Sequence, residues 1–350
     1  MITFVEASIT SLSIHQIGNK HAGGALSLSD KPILLKDEIL EMLLKEFFIA
    51  PFEKTSEWFQ FSHPNNDLDL NELYHFAGKT FKIPESAHNN SMEIAKHLFA
   101  KSDHPKIKPG ELYVALFDDL LVNGKLEQAI GIFKSEIKES YLAVDKDSTG
   151  FEIRYEEQGI NIKKLDKGCL IINSDAAEGY KIAVIDQTNR TEAAYWMDEF
   201  LKLSVKNDEY TQTHNTLSIF KKFVTEKMDE EFDLSRTDKI DLLNRSITYF
   251  KKKEDFNLNE FSNDVISNGK GITMFKNFKQ EYENEFKTEI SDNFQIASAA
   301  VKKQAKAFKS VLKLDKNFHI YVHGNNDLIE KGFDEEKKMS YYKIYFWEES

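Results

Sequence analysis

Lys302, Lys303, Lys306, Lys309, Lys313 and Lys316 crowd one short segment against a single acid, Asp315, in a chain whose formal charge is -12. The chemistry this offers is phosphate neutralisation, for which a compact, hydrated ammonium on a flexible stem needs no fixed geometry. At about 100° per residue, Lys302, Lys306, Lys309 and Lys313 share one helical stripe, and Val301, Ala305, Phe308 and Leu312 share the stripe beside it. The spacing predicts a helix that docks by its apolar stripe and presents those four lysines as DNA-binding residues. A solvated helix face would carry the same pattern, since charge runs are usually that.

Other constellations suggest metal or catalytic chemistry, and each has a plainer account. Asp145, Asp147, Thr149, Gly150 and Glu156 fit part of a calcium-loop template. Its eighth position is Glu152 instead of an apolar residue, and both flanks read as strands, so a hairpin turn is expected. Asp118, Asp119, Glu127, Lys134 and Glu136 can be assembled into a metal-dependent nuclease, with carboxylates on Mg²⁺ and a lysine at the scissile phosphate. They lack a tight acid-x-lysine triplet, and an ordinary charged hairpin is the expected reading. His319 and His323 would stand about 13 Å apart on a strand, too far for one metal to bridge. Gly269-Lys270-Gly271 lacks the third glycine and the preceding strand of a nucleotide loop, and Lys251-Lys252-Lys253 sits where a helix dipole favours cations. Cys169, the one cysteine, lies in an apolar strand, excludes an internal disulfide and fits a reducing compartment. No catalytic residue, metal or cofactor is expected, and the nuclease stays the lesser alternative.

Lys plus Arg number 46 against 58 Asp plus Glu, a balance that opposes long-range attraction to nucleic acid or to an anionic membrane. Any DNA contact must be local. The arginines are Arg154, Arg190, Arg236 and Arg245, too few to supply bidentate reading of guanine edges, so contact should be blind to sequence. No apolar stretch reaches the roughly 18 residues of a membrane span and no leader-like segment opens the chain, so a soluble, cytoplasmic protein is expected.

The elements that must position these residues change character along the chain. Residues 7–18 alternate and stop at Gly18-Asn19-Lys20, predicting an opening strand. Asp37 and the apolar spacing through Ile39, Met42, Leu43 and Phe47 predict a helix over Ile33 to Phe48, residues 51–90 read as short helices and loops, and Ser91 to Lys101 as a further helix. From Leu112 to Asp186, short apolar runs at near-regular spacing predict a mainly antiparallel sheet. Helical spacing then runs from Thr191 to Phe286 and into the lysine segment, after which Phe318 to Val322 and Tyr341 to Trp347 would pair. Across 350 residues two domains are expected. Residues 1–188 would be a mixed α/β domain with the antiparallel sheet, and 189–350 a helical domain with the basic helix and a C-terminal β-hairpin. The fold class is α+β: a mainly antiparallel sheet region followed by a helical region and a C-terminal β-hairpin.

Four blocks, taken in order, resemble the bacterial nucleoid-associated protein family NdpA/YejK. They are Ile14-His15-Gln16-Ile17-Gly18-Asn19-Lys20, Ala194-Tyr195-Trp196-Met197-Asp198-Glu199-Phe200-Leu201, Leu314-Asp315-Lys316-Asn317-Phe318-His319-Ile320 and Tyr341-Tyr342-Lys343-Ile344-Tyr345-Phe346. They span nearly the whole chain, and none is a catalytic signature. The resemblance implies a bacterial cytoplasmic protein of the nucleoid, associated with DNA and with type II topoisomerases, and supplies no catalytic residue. The role of the lysine helix rests separately on charge and periodicity. The expectation is a non-enzymatic homo-oligomer that meets double-stranded DNA weakly, its paired basic stripes outweighing the acidic remainder. The alternative is an adaptor whose acidic surface meets a basic partner such as a topoisomerase, with no direct DNA contact.

Overall fold

The computed structural model describes residues 2–55, 57–146, 148, 150–187, 195–286, 288–308, 311–314, 318–321 and 328–348. The chain divides into two compact units, Met1–Lys206 and Asn207–Ser350. The domain boundary expected between residues 188 and 189 lies outside the described residues.

In the first unit β1 (Ile2–Thr3), β2 (Ser8–Ile17) and β3 (Leu26–Ser27) precede α1 (Glu38–Ile49), and β4 (Phe59–Phe61), α2 (Glu72–Lys82) and α3 (Ala87–Lys101) follow. Next come β5 (Gly110–Val122), β6 (Lys125–Ser135), β7 (Glu139–Lys146), β8 (Phe151–Gly159), β9 (Lys167–Ile172) and β10 (Lys181–Asp186). A π-helical turn at Tyr195–Leu201 leads to β11 (Leu203–Val205). A 9-stranded antiparallel sheet runs β11-β4-β10-β9-β6-β5-β2-β3, with β1 also on β5. The middles of its central strands, Leu112–Phe117, Ala129–Phe133 and Gly168–Ile172, carry no charged residue because both faces are covered. On one face Leu112, Val114 and Leu116 pack with Leu73, Ala77, Ile94, Leu98 and Trp196. On the other, Tyr113, Ala115 and Phe117 pack with Phe47, Phe48 and Phe52, and Phe48 stacks on Phe133 at 4.4 Å. Asp37 starts α1 by accepting the N–H groups of Ile39 and Leu40, and Asn71 does the same for α2. β7 and β8 pair only with each other, as a two-stranded ribbon.

The second unit comprises α4 (Glu209–Lys222), α5 (Arg236–Lys252), β12 (Asp255–Asn257), α6 (Leu258–Phe261), α7 (Gly269–Phe286), β13 (Asn293–Gln295) and α8 (Ser298–Ala307). β14 (Val311–Leu314), β15 (Phe318–Tyr321), β16 (Ile329–Asp334) and β17 (Met339–Ile344) complete it. Its core is aromatic: Phe220 meets Phe261 and Phe275 edge-on at 5.0 and 5.3 Å, the geometry ring quadrupoles favour. A Ser235–Asp238 capping box starts α5.

The α+β architecture is as expected, but two details near the C-terminus are not. The basic helix stops at Ala307, so Leu312 and Lys313 leave it for β14, where they face Ile320 and His319 of β15. Phe308 turns into the core at the helix end, and Val311 and Leu312 gain cross-strand partners. Over so few apolar residues, helical and strand spacing are hard to tell apart. The closing strand also takes a different partner: β17 pairs with β16, Asp334 opposite Met339, while β15 pairs with β14. The nearer strand wins because its loop is short and closes at low entropic cost. β4 was not foreseen either; it lies within residues expected to hold short helices and loops.

Candidate nucleic-acid interface

α8 is seated by Ala300, Val301 and Phe308, all buried, while Gln304 donates to Ser218 Oγ on α4 at 2.9 Å. Just before it, the Ala297 N–H donates to Thr213 Oγ1 at 3.0 Å. Lys302, Lys303 and Lys306 are exposed. Lys303 Nζ lies 5.8 Å over the Tyr210 ring, a cation–π contact that leaves its charge at the surface. Four other lysines of this unit are matched, Lys227 with Glu230, Lys239 with Asp229, Lys253 with Glu260 and Lys279 with Asp292, whereas Lys251 and Lys252 at the end of α5 are exposed. Among the described residues Lys302 and Lys306 take part in no such pair. Lys306 also occupies the last helical turn, where the dipole favours a cation.

The four sequence-derived lysines are thus divided. Lys302 and Lys306 share α8, Lys313 is placed on β14, and Lys309 lies outside the described residues. Lys303, which the helical stripe did not include, is exposed beside them.

The remaining candidates are placed differently. Asp118 accepts from Gln128 at 2.9 Å, and Asp119 takes a φ of 56° where β5 slips against β6. Glu127 faces Leu120, whereas Lys134 and Glu136 pair with each other at the far end of β6, about 20 Å along the strand. Among the described residues no three His, Cys, Asp or Glu side chains gather in a metal-holding group. Asp145 is held by Arg154 at 2.5 Å and Glu156 faces Tyr141, while Asp147 and Thr149 lie outside the described residues. His319 is on β15 and His323 lies outside the described residues. Gly269-Lys270-Gly271 opens α7: Asn268 Oδ1 accepts the N–H groups of Lys270 and Gly271 at 2.9 and 3.2 Å. Lys251 and Lys252 fill the last turn of α5, and Cys169 is buried, which pushes its thiol up.

The first unit holds a buried charge cluster that spacing did not mark. Lys134 Nζ donates to Lys108 O at 2.6 Å, Glu136 Oε1 at 2.7 Å and Tyr195 Oη at 3.4 Å, so its three hydrogens are all engaged. Tyr195 donates to the same carboxylate at 3.2 Å, and Lys167 pairs with Asp186 directly across from it at 2.9 Å. Asp166 accepts the N–H groups of Glu136 and Ile137 at 2.7 and 3.0 Å. Burial lowers the Lys134 pKa, with Glu136 opposing the shift, and burial followed by Glu136 raises that of Tyr195. With its three donors engaged, Lys134 ties the ends of these strands together. A signal was present: Lys134 directly follows Ile132-Phe133, and a lysine inside a strand buried on both faces must be paired.

Two of the blocks that carry the resemblance prove to be structural. His15 Nδ1 accepts the Ser29 N–H at 3.2 Å, so Nε2 carries the hydrogen and donates to Ser91 Oγ at 2.8 Å. Burial first, and His88 second, lower the His15 pKa to about 4. Asn19 donates to His104 O and Ile107 O at 3.0 and 2.6 Å and accepts the Ala22 N–H at 3.1 Å, closing the turn after β2. Tyr195, Trp196, Phe200 and Leu201 are buried.

The family model described as nucleoid-associated protein YejK matches residues 13–339, nearly the whole chain, and the chain belongs to that family. A search of curated proteins found no match. No helix among the described residues is long and apolar enough to cross a membrane.

Proposed function

We propose that this nucleoid-associated protein meets double-stranded DNA directly, weakly and without sequence preference, through the exposed lysines of α8. The observation that carries the reading is the exposure of Lys302 and Lys306 outside every ion pair among the described residues. Charges left unmatched at a surface are the ones a phosphate backbone can use, and each phosphate neutralised steepens the salt dependence by about 0.9. Arginine-based base reading has little support here, because Arg154 is held by Asp145 and Arg245 donates to Asp241 at 3.4 Å and Ser267 Oγ at 3.1 Å. Lys309 and Lys313 extend the proposed surface in sequence.

Charge reversal of Lys302, Lys306, Lys309 and Lys313 to glutamate should abolish retention on duplex DNA and flatten its salt slope, with the circular dichroism spectrum unchanged. Equal retention by the variant would remove the surface from consideration. A second reading, an adaptor for a basic protein such as a type II topoisomerase, is favoured by the formal charge of -12. Pull-down from nuclease-treated lysate separates the two. Partners that survive DNA removal support the adaptor, and their complete loss supports DNA contact.

A further inference from the structure

The β7–β8 ribbon presents one face that the described residues of its own unit leave largely exposed. Its cross-strand pairs Leu142–Tyr155, Val144–Ile153 and Lys146–Phe151 stand on that face, and Ala143–Arg154 and Asp145–Glu152 on the other. The five apolar side chains Leu142, Val144, Phe151, Ile153 and Tyr155 are 63–76% exposed. An isolated two-stranded ribbon is marginal in water, and a contiguous apolar patch of this kind marks an interaction surface.

We propose that the occupant is a second copy of this chain, its ribbon stacked face to face and antiparallel on the first about a two-fold axis. Three observations select it. The ribbon carries Glu139, Asp145, Glu152, Glu156 and Glu157 against Lys146 and Arg154, a balance that repels a nucleic acid or an anionic bilayer. Lys146 lies at the tip of this face, opposite Phe151, and alternation along β8 from Ile153 and Tyr155 puts Glu157 on the same side at the root, where the register shifts, about 20 Å away along the strand. In an antiparallel stack about a two-fold axis each β7 lies over the other copy's β7, and the long Lys146 side chain comes to the root of the other ribbon one strand spacing, about 5 Å, to the side of Glu157, so the surface is complementary to itself and the outward acids stay in water. The apolar side chains offer roughly 650 Å² per copy, so two copies reach about 1,300 Å², within the range of specific interfaces. The inference does not depend on DNA contact by α8.

Sedimentation velocity of the full chain tests it. The wild-type protein should be a dimer at micromolar concentration, and Val144→Asp, at the centre of an exposed face, should raise the dimer dissociation constant about thirtyfold or more. Circular dichroism of the variant should remain that of the folded protein. Lys146→Glu and Glu157→Lys should each weaken the dimer, and the double exchange should restore it, a rescue that no merely apolar contact would give. A wild-type protein that stays monomeric to about 100 µM would overturn the proposal. So would a dimer indifferent to Val144→Asp, or single exchanges that the double exchange does not rescue.

Discussion

Lys134 in the first unit gives its ammonium hydrogens to Lys108, Glu136 and Tyr195, whereas Lys302 and Lys306 in the second stand exposed outside every ion pair among the described residues. The same side chain does different work in the two places. Inside, desolvation is so costly that a charge survives only when its partners are built around it, and its role is then architectural. Outside, an unmatched charge costs the fold little and stays available to a partner. A lysine's candidacy for binding therefore depends more on what already surrounds it than on how many lysines stand nearby.

The comparison breaks most visibly if the buried pair is cut. Lys134→Met leaves Glu136 buried with only the Tyr195 hydroxyl, and should cost about 3–5 kcal/mol in urea unfolding. Lys134→Met with Glu136→Gln should recover most of that loss, since removing both charges removes the unpaired one. A loss below about 1 kcal/mol for the single variant would mean that the cluster is not architectural.

Acid provides the next largest effect, again confined to the first unit. His15 is held neutral down to about pH 4, while the unfolded chain takes up its proton near 6.5. Between those values the unfolded state binds the extra proton. The stabilisation is complete above about pH 6.5, falls as the pH drops towards 4 and levels off below, with a total of up to about 3 kcal/mol. Protonation would also set an N–H against the Ser29 N–H that His15 now accepts. Urea midpoints from pH 7 to 4 should fall more steeply in the wild type than in His15→Gln, and parallel curves would contradict the assignment.

Smaller effects should distinguish the exposed lysines. Lys302→Ala and Lys306→Ala should each lower the salt slope of DNA retention by about 1, read from binding at several ionic strengths. Unchanged slopes would place DNA contact elsewhere. Smallest of all, the same two substitutions should shift unfolding free energy by no more than about 0.5 kcal/mol, because nothing among the described residues depends on their charge. A larger loss would make α8 resemble the buried cluster and erase the contrast.

The readable part of the fold was the part set by local pattern. Leu112 to Phe117 and Gly168 to Ile172 carry no charged residue, which is how a strand covered on both faces appears in sequence. β7 and β8 pair with each other, and it was the strand-like flanks and Glu152 at the eighth position of the calcium template that pointed to a hairpin. The end of α8 was not readable. Val301, Ala305, Phe308 and Leu312 satisfy a helical stripe, yet Leu312 pairs with Ile320, because a strand partner several residues away outweighs a repeat of so few positions.

Residue order alone was enough for the α+β class, the family resemblance and the exposed character of the first lysines in the run, because periodicity and charge are local properties. Packing settled which charges belong to the architecture. Lys134 and Lys302 look alike as letters in acid-rich, lysine-rich surroundings, and only burial beside Glu136 and Tyr195 makes one of them structural. Packing also left the Leu142–Tyr155 face uncovered, an outcome no strand can announce, since alternation shows that a strand has an apolar side and not whether anything in the chain reaches it.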